Sequence, residues 1–216
     1  RRGYPGTRAA ILQLGSLSAL SDWAVSKGLL TRNPFKPLPP FARAEDVRHA
    51  WQVQPATDDE FHTLAAWLLA HDGPQLAARC LFEGLTGLRT IELAGLIAGA
   101  QAGPGSVTTA RDDRQWFAVR RAKGGISPAI PVTKPLAAFL AAWLPQCQSG
   151  QPMFPRAKLS LERWAGLLTR RLQDAAADLG LPERTSHGLR AYYVTCWRSQ
   201  GVGDATIADY LGHTTG

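Results

Sequence analysis

Four prolines fall within the seven residues Pro34–Pro40. Each lacks a backbone N–H and fixes φ, so no helix or central strand runs through this stretch. The stretch reads as an extended connector, and we place a linker there that continues to about residue 55. Before it, Ile11, Leu14, Leu17, Trp23 and Ala24 recur at roughly helical spacing over Thr7–Lys27, Gly28 provides a stop, and Asn33-Pro34 opens a loop. After it, Thr57-Asp-Asp-Glu60 has the form of a capping box, in which the threonine hydroxyl and the glutamate carboxylate satisfy each other's backbone amides. Phe61, Leu64, Ala65, Leu68 and Leu69 then predict an apolar helix face that Asp72-Gly73-Pro74 ends, and a second helix covers about Gln75–Leu85.

The character of the chain changes over Gly95–Arg121, which is rich in Gly, Thr and Val. Trp116–Arg121 and Ala129–Val132 flank Lys123-Gly124-Gly125 as hairpin strands would. Helical patterns return at Pro135–Leu144, Ser160–Leu179, about Gly188–Ser199 and Asp204–Leu211. The fold class expected is mainly α with a small antiparallel β-sheet. Trp67, Trp143, Trp164 and Trp197 fall within helical patterns as core residues, and Trp116 suits a sheet face.

Hydrophobic residues make up 45% of the 216 and charged residues 19%, enough apolar material for a packed interior and no run long enough to span a bilayer. Lys and Arg number 24 against 17 acidic residues, a formal charge of +7, which favours an anionic partner, nucleic acid foremost. Cys80, Cys147 and Cys196 are far apart and lack C-x-x-C spacing. Neither a disulfide framework nor a zinc site is implied, and a reducing cytoplasm fits. Arg1 is no initiator methionine, and we expect the chain to be a fragment at both ends.

Three segments carry chemistry. In Thr86-Gly87-Leu88-Arg89-Thr90-Ile91-Glu92-Leu93 a glycine turn feeds Arg89 into a helix start, where its guanidinium can grip a phosphate in bidentate fashion with help from the helix N-terminus. In Arg120-Arg121-Ala122-Lys123-Gly124-Gly125 the glycines let the backbone turn and leave Lys123 projecting, within reach of a phosphate or a departing oxygen. In Ser186-His187-Gly188-Leu189-Arg190 the three-residue spacing puts an imidazole and a guanidinium on one helix face, and Tyr210-Leu211-Gly212-His213 follows after a helix and turn.

T-G-L-R-x-x-E-L, a lysine on a β-turn, H-x-L-R and L-G-H, in that order, resemble the tyrosine recombinase, or phage integrase, family. The resemblance covers about residues 55–216, and the Thr7–Pro37 stretch is similar to the end of that family's helical core-binding domain. It implies a division into a core-binding segment over 1–40, a linker over 41–55 and a catalytic domain over 56–216. It further implies that Arg89 and Arg190 hold the non-bridging oxygens of a scissile phosphate, that Lys123 is the general acid toward the departing 5′-oxygen, and that His187 assists proton transfer. His213 would hydrogen-bond the phosphate and Glu92 would orient the site, with no metal ion and no cofactor. Arg120, Arg121, Arg170 and Arg171, with Arg111, Arg114 and Arg163, would add phosphate contacts along double-stranded DNA.

In that family a tyrosine attacks the phosphate and forms a 3′-phosphotyrosyl link, about nine residues beyond the histidine matched by His213. The sequence ends three residues after it, at Gly216. Tyr210, Tyr192 and Tyr193 read as packing or DNA-contact residues, so the expectation is a chain that binds DNA without cleaving it. The family works as a tetramer on DNA; this chain in isolation is expected to be a monomer. Three other readings stay open: an integrase-like DNA-binding or regulatory module without chemistry, a type IB topoisomerase, and a small helical enzyme pairing His187 with a carboxylate.

Overall fold

The computed structural model describes residues 7–36, 55–110, 113–119 and 129–212, with side chains from residue 16 onward. Contacts divide the chain into two compact units, 1–52 and 53–216. In the first, α1 spans Thr7–Ser26 and Gly28, at φ 71°, reverses the chain. Asn33 then pins the return onto the helix. Its Nδ2 donates to the Ser18 carbonyl at 2.9 Å and to Asp22 Oδ1 at 2.9 Å, and its Oδ1 accepts the Phe35 amide at 2.8 Å. The proline run beyond residue 36 lies outside the described residues, as does the expected linker up to residue 54.

In the second unit the helices are α2 (Asp58–Asp72), α3 (Pro74–Thr86), the single turn α4 (Thr90–Leu93), α5 (Lys134–Trp143), α6 (Leu161–Asp178), α7 (Ser186–Ser199) and α8 (Asp204–Tyr210). The strands β1 (Val107–Thr109), β2 (Gln115–Ala118) and β3 (Ala129–Pro131) form an antiparallel sheet in that order. Mainly α with a small antiparallel sheet is thus the observed class. The expected hairpin is there, with Trp116 opposite Pro131 and Phe117 opposite Ile130. Its turn, including Arg120, Arg121 and Lys123, lies outside the described residues.

The second unit is built around α3, whose residues enter two apolar clusters. Ala78 and Phe82 pack with Leu96, Phe117, Ile130, Leu136, Trp143 and Phe154 against the sheet and α5. Ala77 and Cys80 pack with Phe61, Leu64, Leu168, Leu172 and Leu189 between α2, α6 and α7. Burying such side chains contributes roughly 1.5–3 kcal/mol each, so both faces of α3 are tied down. A third, smaller cluster joins Tyr193 of α7 to Ile207 and Leu211 at α8.

Two expectations change. Leu69 is 54% exposed, because at the i+8 position it has rotated past the buried stripe of α2. Helix α7 starts at Ser186 rather than near Gly188, because Thr185 caps it: the Thr185 hydroxyl accepts the Gly188 amide at 3.3 Å.

Candidate functional site

Gly87 ends α3 in the left-handed region, at φ 61° and ψ 15°, with its amide bonded to the Glu83 carbonyl at 2.8 Å. The backbone then extends through Leu88, buried in the core, to Arg89 at φ −75° and ψ 146°. Glu92 fixes the next turn by folding back. Its Oε2 accepts the Arg89 amide at 2.8 Å and its Oε1 the Arg89 guanidinium at 3.3 Å. The Glu92 side chain is fully buried, whereas that of Arg89 is 47% exposed, so the carboxylate is an internal brace and the guanidinium faces outward. Since α4 is one turn long, its dipole adds little to this site.

On α7, His187 lies in the first turn and is exposed, while Arg190, one turn on, is buried. Arg190 Nη1 donates to the Gly87 carbonyl at 2.5 Å and Nη2 to the Leu211 carbonyl at 3.1 Å. One guanidinium therefore binds together three segments far apart in the chain: the turn two residues before Arg89, the H-x-L-R helix, and the end of α8 two residues before His213. Gly87 is needed here for space as well as conformation. A Cβ on it would lie 2.5 Å from Tyr193 Cδ1 and 2.9 Å from Leu211 Cδ2. His213 and Lys123 are outside the described residues; Gly212, at φ 63°, is the last residue described before His213.

The start of α7 is fastened to α6 by the hydroxyls of Thr169 and Ser186, 2.8 Å apart. The sheet meets α8 through aromatic rings: Tyr210 stands edge-on to Trp116 at 6.2 Å and tilted to Trp197 at 5.3 Å. Tyr210 is thus a packing residue. Tyr192 stacks on Phe61 at 4.4 Å and donates its hydroxyl to Asp58 Oδ1 at 2.8 Å, and burial pushes its ionisation well above the ordinary phenol range. Tyr193 is buried in the third cluster. Arg170 is exposed on α6. Arg171 is engaged within the protein: its Nε binds Asp72 at 2.8 Å, its Nη1 binds Asp174 at 2.6 Å, and its guanidinium covers the Trp67 ring at 4.9 Å.

The sequence reading passed over a buried charged cluster behind the Arg89 turn. Arg79 and Glu83 on α3, both side chains 2% exposed, pair at 2.8 Å. Arg79 Nη1 also donates to the Trp164 carbonyl at 2.6 Å, and the guanidinium lies 3.9 Å over the Trp164 ring. Thr90, the first residue of α4, closes the triangle. Its hydroxyl accepts from Arg79 Nη2 at 3.3 Å and donates to Glu83 Oε1 at 3.3 Å. Burial pulls the Glu83 carboxyl upward against the opposing pull of Arg79. An i,i+4 Arg/Glu pair inside the otherwise apolar Leu76–Leu85 run was the available signal. Such pairs ordinarily sit on a solvated face. Among the described residues, no group of three or more His, Cys, Asp or Glu side chains could hold a metal ion, and no helix is long and apolar enough to cross a membrane.

No family model matches the sequence, and no curated protein matches it. Solved structures do match. A dimer of lambda integrase residues 75–356 bound to a core site superposes with a TM-score of 0.69 at 19% identity, covering 97% of this chain and 73% of that one. The Tn1549 transposon integrase in complex with circular intermediate DNA gives 0.69 at 16% identity, over 97% of this chain and 72% of that one. XerA recombinase gives 0.54 at 17%, over 92% and 65%. Against the longer chain of another lambda integrase dimer on the same kind of site, this chain spans 57% of the length. The fold is that of the tyrosine recombinase catalytic domain.

Proposed function

We propose that this protein belongs to a DNA strand-exchange enzyme of the tyrosine recombinase type and grips a backbone phosphate of double-stranded DNA with Arg89, His187 and Arg190. The observation that carries the reading is the Arg190 guanidinium, which bonds backbone of the first and last of the four sequence boxes from its own place in the third. Arg89 presents an exposed guanidinium braced by Glu92, and such a group neutralises the charge that grows on a pentacoordinate phosphate. Lys123 would protonate the departing 5′-oxygen, His187 would assist proton transfer, and His213 would donate to a non-bridging oxygen. Catalysis is then largely electrostatic and requires no metal ion.

Tyr192, Tyr193 and Tyr210 are held by packing, and none is assigned as the attacking hydroxyl. Residues 1–40 would be the end of a core-binding domain, 41–55 a linker and 56–216 the catalytic domain. Arg120, Arg121 and Arg170 would add sequence-independent phosphate contacts. Arg171 would first have to release Asp72 and Asp174. One solved lambda integrase structure is a tetramer bound to a Holliday junction, and assembly on DNA is proposed for the full protein here.

Fluorescence anisotropy with a labelled duplex over a salt series tests the reading. Each phosphate contact contributes about 0.9 to the slope of log K against log salt. Arg89→Ala, which leaves Arg190 on the same phosphate, lowers the magnitude of the slope by up to that amount, and His187→Ala on top of it weakens binding by less than it does alone, because both side chains serve one phosphate. Salt-independent binding, or a slope untouched by Arg89→Ala, removes the proposal.

A further inference from the structure

Glu83 holds both ends of the turn that presents Arg89. Its backbone carbonyl accepts the Gly87 amide, and its carboxylate accepts the Thr90 hydroxyl, so the intervening residues are suspended between two atoms of one side of α3. Arg79 locks that carboxylate from the other side and ties it to α6 through the Trp164 carbonyl and ring. A buried ion pair is a poor means of stabilising a fold, because removing two charges from water offsets most of their attraction, and apolar replacements of similar volume are commonly tolerated. What the arrangement supplies is direction: three hydrogen-bonded groups leave the first residue of α4 a single position.

We propose that Arg79 and Glu83 are positioning residues for Arg89, acting through the Thr90 hydroxyl, so that the guanidinium meets its phosphate from a fixed backbone. The proposal rests on the reading of Arg89 as a phosphate-gripping residue. Without the triangle, the Glu92 brace still holds Arg89 to α4 and Leu93 stays in the core, but α4 loses its hydrogen-bonded link to α3. The contact then loses its preorganisation, and ordering the turn opposes binding.

The test is a double-mutant cycle on duplex binding, read by anisotropy at fixed salt. Thr90→Val keeps the shape of the side chain, and keeps Arg79, Glu83 and Trp164 bonded to one another, while cutting only the link to α4. Thr90→Ser restores the hydroxyl. Arg89→Ala in the otherwise native protein weakens binding by about tenfold or more, the worth of one charge-assisted bond. In the Thr90→Val background the same change costs severalfold less, and in the Thr90→Ser background it costs the full amount. Arg79→Met with Glu83→Leu, an apolar replacement of the pair, behaves as Thr90→Val does and still melts cooperatively. If that double variant fails to fold, the Thr90 pair decides alone. Full additivity of Thr90→Val with Arg89→Ala overturns the positioning role and leaves the phosphate reading intact. Native binding by Arg89→Ala itself overturns both.

Discussion

Gly87→Ala tests whether the junction of the Arg89 turn, α7 and the end of α8 is as tight as it looks. Two costs are separable at this position. The first is conformational: at φ 61° an alanine pays roughly 1 kcal/mol for the left-handed region. The second is steric, since the new methyl would lie 2.5 Å from Tyr193 Cδ1 and 2.9 Å from Leu211 Cδ2, both buried. Overpacking of that kind costs typically 1–3 kcal/mol. The sum is a loss of about 2–4 kcal/mol of unfolding free energy. Gly180→Ala is the internal control, because Gly180 has φ 66° at the end of α6 and nothing within 4 Å of the added carbon, so it carries the first cost alone. Urea unfolding, compared at a common slope, reads the difference. Duplex binding reads the consequence, since displacing Gly87 or Leu211 moves the carbonyls that Arg190 holds. Gly87→Ala should weaken binding and Gly180→Ala should not. Equal destabilisation by the two substitutions would refute the close approach of α7 and α8 to the Arg89 turn.

Arg190→Lys retains the charge but cannot span the Gly87 and Leu211 carbonyls, so one buried acceptor loses its donor. Thermal unfolding should register a loss of about 1–3 kcal/mol, and an unchanged melting temperature would count against the clamp. Glu60 supplies an acid-limb prediction. The Thr57 amide and then the Arg184 guanidinium, 2.8 Å away, hold its carboxyl below its ordinary value of 4.5. A lowered carboxyl contributes stability that is complete above the unfolded value and is lost as pH falls through the folded one. Glu60→Gln should therefore reduce stability near neutrality and flatten its decline below about pH 4.5; a parallel acid limb in both proteins would exclude this source.

Local chemistry was legible where a few neighbouring residues decide the outcome. Thr57 and Glu60 satisfy each other as the capping pattern requires, at 3.2 and 2.8 Å. The aromatic and β-branched residues of 116–118 and 129–131 pair as a hairpin for the same reason. The sequence could not show that Glu60 also binds Arg184, across 124 residues, because nothing local to either side chain requires the other. The short strand β1 escaped notice because its three residues, Val107–Thr109, are all exposed and show no alternation. For Arg79 and Glu83 the apolar run around them was the one signal, and the pair itself carried none. An i,i+4 ion pair looks the same in sequence whether it faces water or sits at 2% exposure between two helices.

That distinction bears on how the site is built. Its outward groups, Arg89 and His187, belong to recognisable boxes, while the groups behind them are buried or half-buried: Glu92 beneath Arg89, the Arg79–Glu83–Thr90 triangle behind α4, and the Thr169–Ser186 hydroxyl pair at the root of α7. Arg190 belongs to both sets, since it carries a box position yet spends two donors on backbone carbonyls of other segments. A guanidinium has five N–H donors in a rigid plane, so two of them can lock the scaffold and leave the plane's orientation fixed for the remainder. Lysine, with one compact charge and a flexible stem, cannot do both. Arg190 thus ties the backbone two residues before Arg89 and the residue that ends α8 to one helix, α7, so three segments spread over more than a hundred residues of chain share a single side chain's hydrogen bonds.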